Sequence, residues 1–353
     1  MRQFLVFFVL LQLSLSLAAQ NRLSNIVRGE QVTGMQLSVV RNGQEQSYAA
    51  GYSNADTKKK VKAGTVFQAA SLSKVVLAYI TLKLADRKQI SLDSPLHRYY
   101  NYHRTGEDSA AKTITARMVL NHTTGFPNWA GNPLSKEWQK TPLRTRFPPG
   151  TAWSYSGEGF MYLQYAIQAI LNASLEEIAV KEVFRPLHMK NSSFVWQTQF
   201  DSTGAYGHNK EGELIERSEF FLPAAAYSLL TTAHDYQLFL QALIKGKGLS
   251  AATHTLFMQD AVPVKTTSGD SAARYITWGL GIGREQNARG TAFWHWGDNG
   301  NFKCFFLIYP STGDSMVCLT NSENGLALMK PLFRYYFGPT TWWAVPWLKT
   351  AFQ

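Results

Sequence analysis

Four side chains in this 353-residue chain have the types and neighbours that acyl chemistry needs. Ser71 and Lys74 stand three apart at the head of a long apolar run, Val75 to Leu84. On a helix, that spacing sets the amine one turn along from the hydroxyl. A serine hydroxyl is a weak nucleophile until a base takes its proton. A lysine desolvated by the apolar run, near the positive end of the helix dipole, titrates low enough to act as that base. Spacing alone does not select this pair, because Ser109-Ala-Ala-Lys112 repeats it. That second copy lies in a polar run with no apolar helix after it, and it reads as a surface loop. Taken alone, Ser71 is at least as easily an ordinary helix cap, so partners must decide. The candidates are Tyr155, in Tyr155-Ser156-Gly157, and His295, in His295-Trp296-Gly297.

These side chains need a scaffold to bring them together. Met35–Val40 and Gln44–Ala49 flank Asn42-Gly43, a hairpin signal. The apolar helix carrying Lys74 follows, then a further helix over Thr113–Leu120 that ends in Asn121-His-Thr-Thr-Gly125. A Pro- and Gly-rich loop, Arg146 to Gly159, leads into a helix over Phe160–Leu171. Ser174 and Glu177 form a capping box for the next helix, and another helix spans Ala233–Lys245. The last third returns to strands at Tyr275–Gly283, Thr291–Gly297, Lys303–Tyr309 and Ser315–Thr320. A helix over Leu326–Tyr335 and an aromatic tail, Thr341–Trp347, close the chain. Strands from both ends and helices from the middle predict an α+β fold. The expected form is a mostly antiparallel sheet flanked by helices, with an inserted, mainly helical region. The sheet part is expected at about residues 30–75 and 225–337, the insertion at about 76–224, all within a single domain over 20–353.

The first 19 residues read as a secretory signal: Arg2, a short apolar stretch, then small residues before Gln20. Periplasmic export follows as an expectation, with no stable membrane span. The formal charge is +11, and Arg2 is the only charge before Gln20, so the processed chain carries 11 − 1 = +10. The charges are scattered, with Lys58-Lys59-Lys60 the only run, which fits a solvated basic surface and no nucleic-acid motif. The eight histidines show no His-Glu-x-x-His spacing, so neither metal nor cofactor is expected. Cys304 and Cys318 sit in adjacent strands at positions unsuited to a bridge and read as free thiols.

Ser71-x-x-Lys74, Tyr155-Ser-Gly157 and His295-Trp-Gly297, in this order, resemble the serine β-lactamase and penicillin-binding protein superfamily. The nearest branch is that of class C β-lactamases, D-aminopeptidases and related esterases. The likeness runs from about Gly34 to Tyr335 and includes Asn121–Gly125, Pro149–Thr151 and Trp278–Gly281. It implies Ser71 as nucleophile and Lys74 with Tyr155 as the proton-handling pair, the tyrosine approaching phenolate. The backbone N–H groups of Ser71 and Asp298 would form the oxyanion hole, a large catalytic term. Two positions depart from the family pattern. Gly157 stands where an asparagine usually holds the substrate amide, and His295 stands where a lysine often binds a carboxylate. Asn128 and Trp129 are expected to line the acyl pocket, with Gly157 and Gly297 beside the substrate.

The expected function is an exported serine hydrolase working through an acyl-enzyme on a small-molecule or peptide substrate. A D-amino-acid peptide, an ester and a β-lactam all remain open as substrates. So do a true class C-like β-lactamase and, from another class, a penicillin-binding sensor or pseudoenzyme. Oligomeric state is not legible.

Overall fold

Asn42 and Gly43 both adopt positive φ and close a two-residue turn between antiparallel strands β1 (Gly34–Arg41) and β2 (Gln44–Asn54). The computed structural model describes residues 20–106, 108–264 and 271–351. The stretch read as a secretory signal lies outside the described residues. After β2 come two short strands, β3 (Lys59–Lys60) and β4 (Phe67–Gln68). β5 (Leu230–Thr231) pairs with β4 as a separate ribbon. β6 (Val262–Pro263), β7 (Ile276–Trp278), β8 (Gly283–Asn287), β9 (Gly290–Asp298), β10 (Lys303–Tyr309) and β11 (Asp314–Thr320) complete the strands. Nine strands form one sheet in the order β3-β2-β1-β11-β10-β9-β8-β7-β6. Each of its neighbouring pairs is antiparallel. β1 lies against β11, so the two ends of the chain meet in mid-sheet, and the helices come largely from the sequence between them. The fold is α+β, as the order of elements predicts.

Alternation along the strands sends side chains to two cores. On β10, Cys304, Phe306 and Ile308 join the core built with the buried helix Ser73–Asp86 and the helix Ala233–Ile244. Phe305 and Leu307 join the opposite core, under the helix Met329–Phe337. Phe305 pairs with Cys318 in register, so the two cysteines fall on opposite faces, and both are free thiols. The aromatic tail packs on the body. Trp347, in the helix Ala344–Ala351, is fully buried against Trp153 and Trp294, both at 5.6 Å between ring centroids.

One expected strand is two. The run Tyr275–Gly283 folds back on itself, with Trp278 opposite Gly283 in the β7–β8 pairing. Gly281 sits at φ +87, where an added Cβ would come within 2.4 Å of Ala78 Cβ. The turn therefore presses directly onto the helix that carries Lys74, and its N–H donates to Leu120 O at 2.9 Å. The Ser174–Glu177 capping box forms as its sequence predicts.

Candidate active site

Ser71 lies in a single 3-10 turn, Ala70–Leu72, that runs straight into the helix Ser73–Asp86. Neither element has a side-chain cap, so Ser71 is not a helix cap. The residue before it, Ala70, is held at φ +46, a region that disfavours a Cβ. Neighbours fix this kink. Ser73 Oγ donates to Ala70 O at 2.5 Å and accepts from Leu229 N at 3.0 Å, and Cys304 Sγ donates to Ala69 O at 2.9 Å. Strand β9 passes very close. A Cβ on Gly297 would lie 2.6 Å from Ala69 O and 2.4 Å from Cys304 Sγ, so glycine is required there.

Lys74 comes up one turn later, as the three-residue spacing dictates. Its amine donates to Ser71 Oγ at 2.9 Å and to Ala226 O at 2.7 Å. The side chain is buried beneath the rings of Tyr155 and Phe160, 5.0 and 5.8 Å from the nitrogen. Burial lowers its pKa from 10.5 to about 7, because desolvation disfavours the ammonium.

Tyr155 faces the same hydroxyl: it lines one cavity with Ser71, and Ser71 is among the groups that act on its phenol. The next residue places its backbone. Ser156 caps the helix Gly157–Leu171 through Gly159 N at 3.0 Å, and its own N–H donates to His122 Nδ1 at 3.0 Å. The expectation of a phenolate is not met. Burial pushes the Tyr155 phenol well above its ordinary range, and that outweighs Ser71, which acts the other way. The phenol is therefore protonated in the folded protein, and of the two groups it is Lys74 whose pKa lies near neutrality.

His295 is fully buried behind Tyr155, 6.2 Å away between ring centroids, and does not line the cavity. Its Nδ1 lies 2.6 Å from Trp296 O. Burial, reinforced by the nearby Lys74 charge, lowers it to about 3, so it stays neutral and cannot serve as a cation for a substrate carboxylate.

Ser71, Lys74 and Tyr155 open into a cavity of about 350 Å³ that also exposes Asn128, Trp129, Trp296, Tyr227 and Asp298. β8 pairs with β9 only as far as Trp294, so residues 295–298 of β9 run on without a β8 partner. The carboxylate of Asp298 is engaged with Lys303 Nζ at 2.5 Å and Gly300 N at 2.8 Å. Gly157 does not line the cavity. Its N–H donates to Asn128 Oδ1 at 3.0 Å, and an added Cβ would strike the Trp129 ring at 2.6 Å. Trp129 thus occupies space that any larger residue at position 157 would need.

A family model described as Beta-lactamase matches residues 19–337. The chain belongs to the Beta-lactamase family. Among relatives of this family member is Penicillin-binding protein 4 of Amycolatopsis lactamdurans, 23% identical over 348 residues, with 90% of this chain and 88% of that protein covered. Protein flp of Staphylococcus aureus (strain MRSA252) is 23% identical over 313 residues, covering 83% of this chain. The match spans only 60% of the length of Protein flp. A D-stereospecific amidohydrolase from Streptomyces sp. has the same fold, with a TM-score of 0.76 at 16% identity, covering 91% of this chain and 99% of that one. A class C β-lactamase aligns with a TM-score of 0.72 at 19% identity, covering 87% and 94%. The structural neighbours thus include hydrolases.

Three contributors in this Beta-lactamase family member are not evident from residue types. Ala226 acts through its carbonyl, which any residue would supply. His122, in a left-handed conformation at φ +57, positions Ser156 from a motif visible in sequence but without an evident role there. Arg104 and Glu158 form a fully buried ion pair at 2.7 Å. Glu158 also accepts from Trp138 Nε1 and Ala130 N, both at 2.8 Å, and so ties the Trp129 loop to the helix after Tyr155.

Proposed function

We propose that this protein is a serine hydrolase that forms an acyl-enzyme at Ser71 on a neutral ester or amide. The observation that carries the reading is the buried Lys74 amine, 2.9 Å from the Ser71 hydroxyl and titrating at about 7. About half of it is neutral at pH 7, so it can accept the serine proton. Ser71 Oγ then bonds to the substrate carbonyl carbon. The N–H groups of Ser71 and Asp298 hold the resulting oxyanion. As the bond to the leaving group breaks, Tyr155 gives that group its phenolic proton and regains one from Lys74. Water completes the cycle: Lys74 takes its proton, the hydroxyl attacks the ester carbonyl, and the proton returns to Ser71 as the acid leaves.

Charge in the cavity favours a substrate without a carboxylate. Lys74 and Asp298 are the only charged types among the lining residues, and His295 is neutral. β-Lactams and C-terminal D-peptides carry a carboxylate that would find no free cation there. Export to the periplasm is part of the same proposal and rests on the secretory character of residues 1–19. Intact-protein mass after exposure to short esters, D-peptides and β-lactams tests the reaction. Transient acylation by a neutral ester, abolished in Ser71→Ala, is expected. Absence of an adduct with every acylating probe would remove the hydrolase reading and leave a pseudoenzyme.

A further inference from the structure

The catalytic cavity has a neighbour across Tyr227. Four of its lining residues, Pro133, Leu134, Phe220 and Tyr227, also line a second recess of about 470 Å³. The floor of that recess is apolar and aromatic, with Trp138, Met161 and Tyr165 among its residues. Its rim carries three large apolar side chains left in solvent: Leu134 at 66%, Phe221 at 70% and Leu222 at 83% exposure. The only other exposed large hydrophobics among the described residues, Ile215 at 40% and Tyr275 at 38%, are much less so. A cluster of this kind at the mouth of a reactive cavity marks a binding surface.

The walls are braced from within. Phe220 packs edge-on against Tyr227 at 5.6 Å, and Tyr227 against Trp129 at 5.8 Å. Gln164 Nε2 donates to Pro223 O at 2.9 Å, and Trp196 N donates to Phe220 O at 2.5 Å, so both sides of the loop that carries Phe221 and Leu222 are tied to the body. The charged types on this recess, Lys136 and Glu219, are of opposite sign. The groove offers neither net charge nor a peptide-binding strand edge to a ligand that leaves the cavity along it.

We propose that this groove binds a long apolar chain carried by the substrate, so that the enzyme prefers lipophilic esters or amides to short ones. The inference rests on the serine hydrolase reading of Ser71. Adjacency to the cavity identifies the occupant: a chain attached to a carbonyl at Ser71 has this apolar way out past Leu134 and Phe220, which line both recesses. Each methylene buried there should raise reactivity about two- to threefold, somewhat less than full burial gives.

The test is the second-order rate of Ser71 labelling by n-alkyl fluorophosphonates from methyl to dodecyl, each below its aggregation concentration and read by intact mass. The rate is expected to climb with chain length in the natural protein. The slope should flatten in Phe221→Ser/Leu222→Ser, whose exposed positions leave the melting temperature unchanged. A rate independent of length, or a slope that survives the double substitution, overturns the groove while Ser71 labelling still supports the hydrolase. A slope that appears only in a parallel series run above the aggregation concentration also overturns it and assigns the apolar rim to lipid surfaces. No labelling at any length defeats the hydrolase reading first.

Discussion

Lys74 Nζ stands 2.9 Å from Ser71 Oγ, and its other hydrogen bond among the described residues goes to Ala226 O. The amine is therefore held on the nucleophile without a carboxylate to keep it charged. Its titration contributes to the pH dependence of stability and, in the proposed mechanism, sets that of the labelling rate.

In the proposed mechanism acylation requires the neutral amine, and burial has brought its pKa from 10.5 to about 7. The labelling rate should rise tenfold per pH unit below 7 and level off above it. Burial holds His295 at about 3 and keeps His122 well below its ordinary value, so neither adds a second limb between pH 5 and 8. For stability, ν counts the protons bound. Between about 7 and 10.5 the unfolded chain holds a proton on Lys74 that the folded chain has lost. This group therefore makes stability rise with pH across that window. Below 7 both states hold the proton, and the folded state bears the whole cost of a buried ammonium. A labelling rate that is flat from pH 6 to 8 would contradict the assignment of Lys74 as base.

Function and stability should part at this residue. Lys74→Met keeps length and apolar bulk but removes the base. The labelling rate should fall by about 10²- to 10⁴-fold, the usual worth of a general base. Thermal unfolding at pH 6 should move up, since a charge no longer has to be desolvated. The gain should shrink at pH 9.5, where the natural lysine is already neutral in the fold. A lower melting temperature at pH 6 would show that the bonds to Ser71 and Ala226 outweigh desolvation.

Much of this arrangement is written in local residue types. Asn42-Gly43 dictates its turn, Ser174 and Glu177 their capping box, and the Ser71–Lys74 spacing puts both groups on one helical face. These signals depend on neighbours within a few residues, where backbone sterics decide. The conformation of Ala70 is not legible, because β9, Cys304 and Ser73 impose it from distant parts of the chain. Nor is the ionisation of Tyr155. Two nearby cationic types suggest a phenolate, but the depth of burial that reverses this is a property of the packed fold. The Tyr275–Gly283 run misleads for a related reason: its β-branched and aromatic start suits a strand, yet tight approach of Gly281 to Ala78 turns it into a reversal.

Gly157 and Trp129 should prove energetically coupled. An alanine at position 157 places its Cβ 2.6 Å from the indole, and the ring must move. Overpacking of this kind costs about 1–3 kcal/mol. Trp129→Ala should relieve most of it, so the double variant should be more stable than the sum of the single losses predicts. Urea unfolding of all four proteins gives the coupling directly, and additive losses would place the ring elsewhere.

The Arg104–Glu158 pair lies at the base of the Trp129 loop with both side chains inaccessible to water. Glu158→Gln preserves an acceptor for Trp138 Nε1 and Ala130 N but strands the guanidinium charge. Stranding one member of a buried pair costs about 3–5 kcal/mol, so the urea midpoint should fall markedly. Adding Arg104→Met should recover part of that loss, because the unpaired charge is then gone. The loop should also loosen around Trp129, weakening probe binding more than the labelling rate at saturation. Equal stability of Glu158→Gln and the natural protein would mean that water or Tyr102 already satisfies Arg104, whose Nη1 lies 3.2 Å from the Tyr102 hydroxyl.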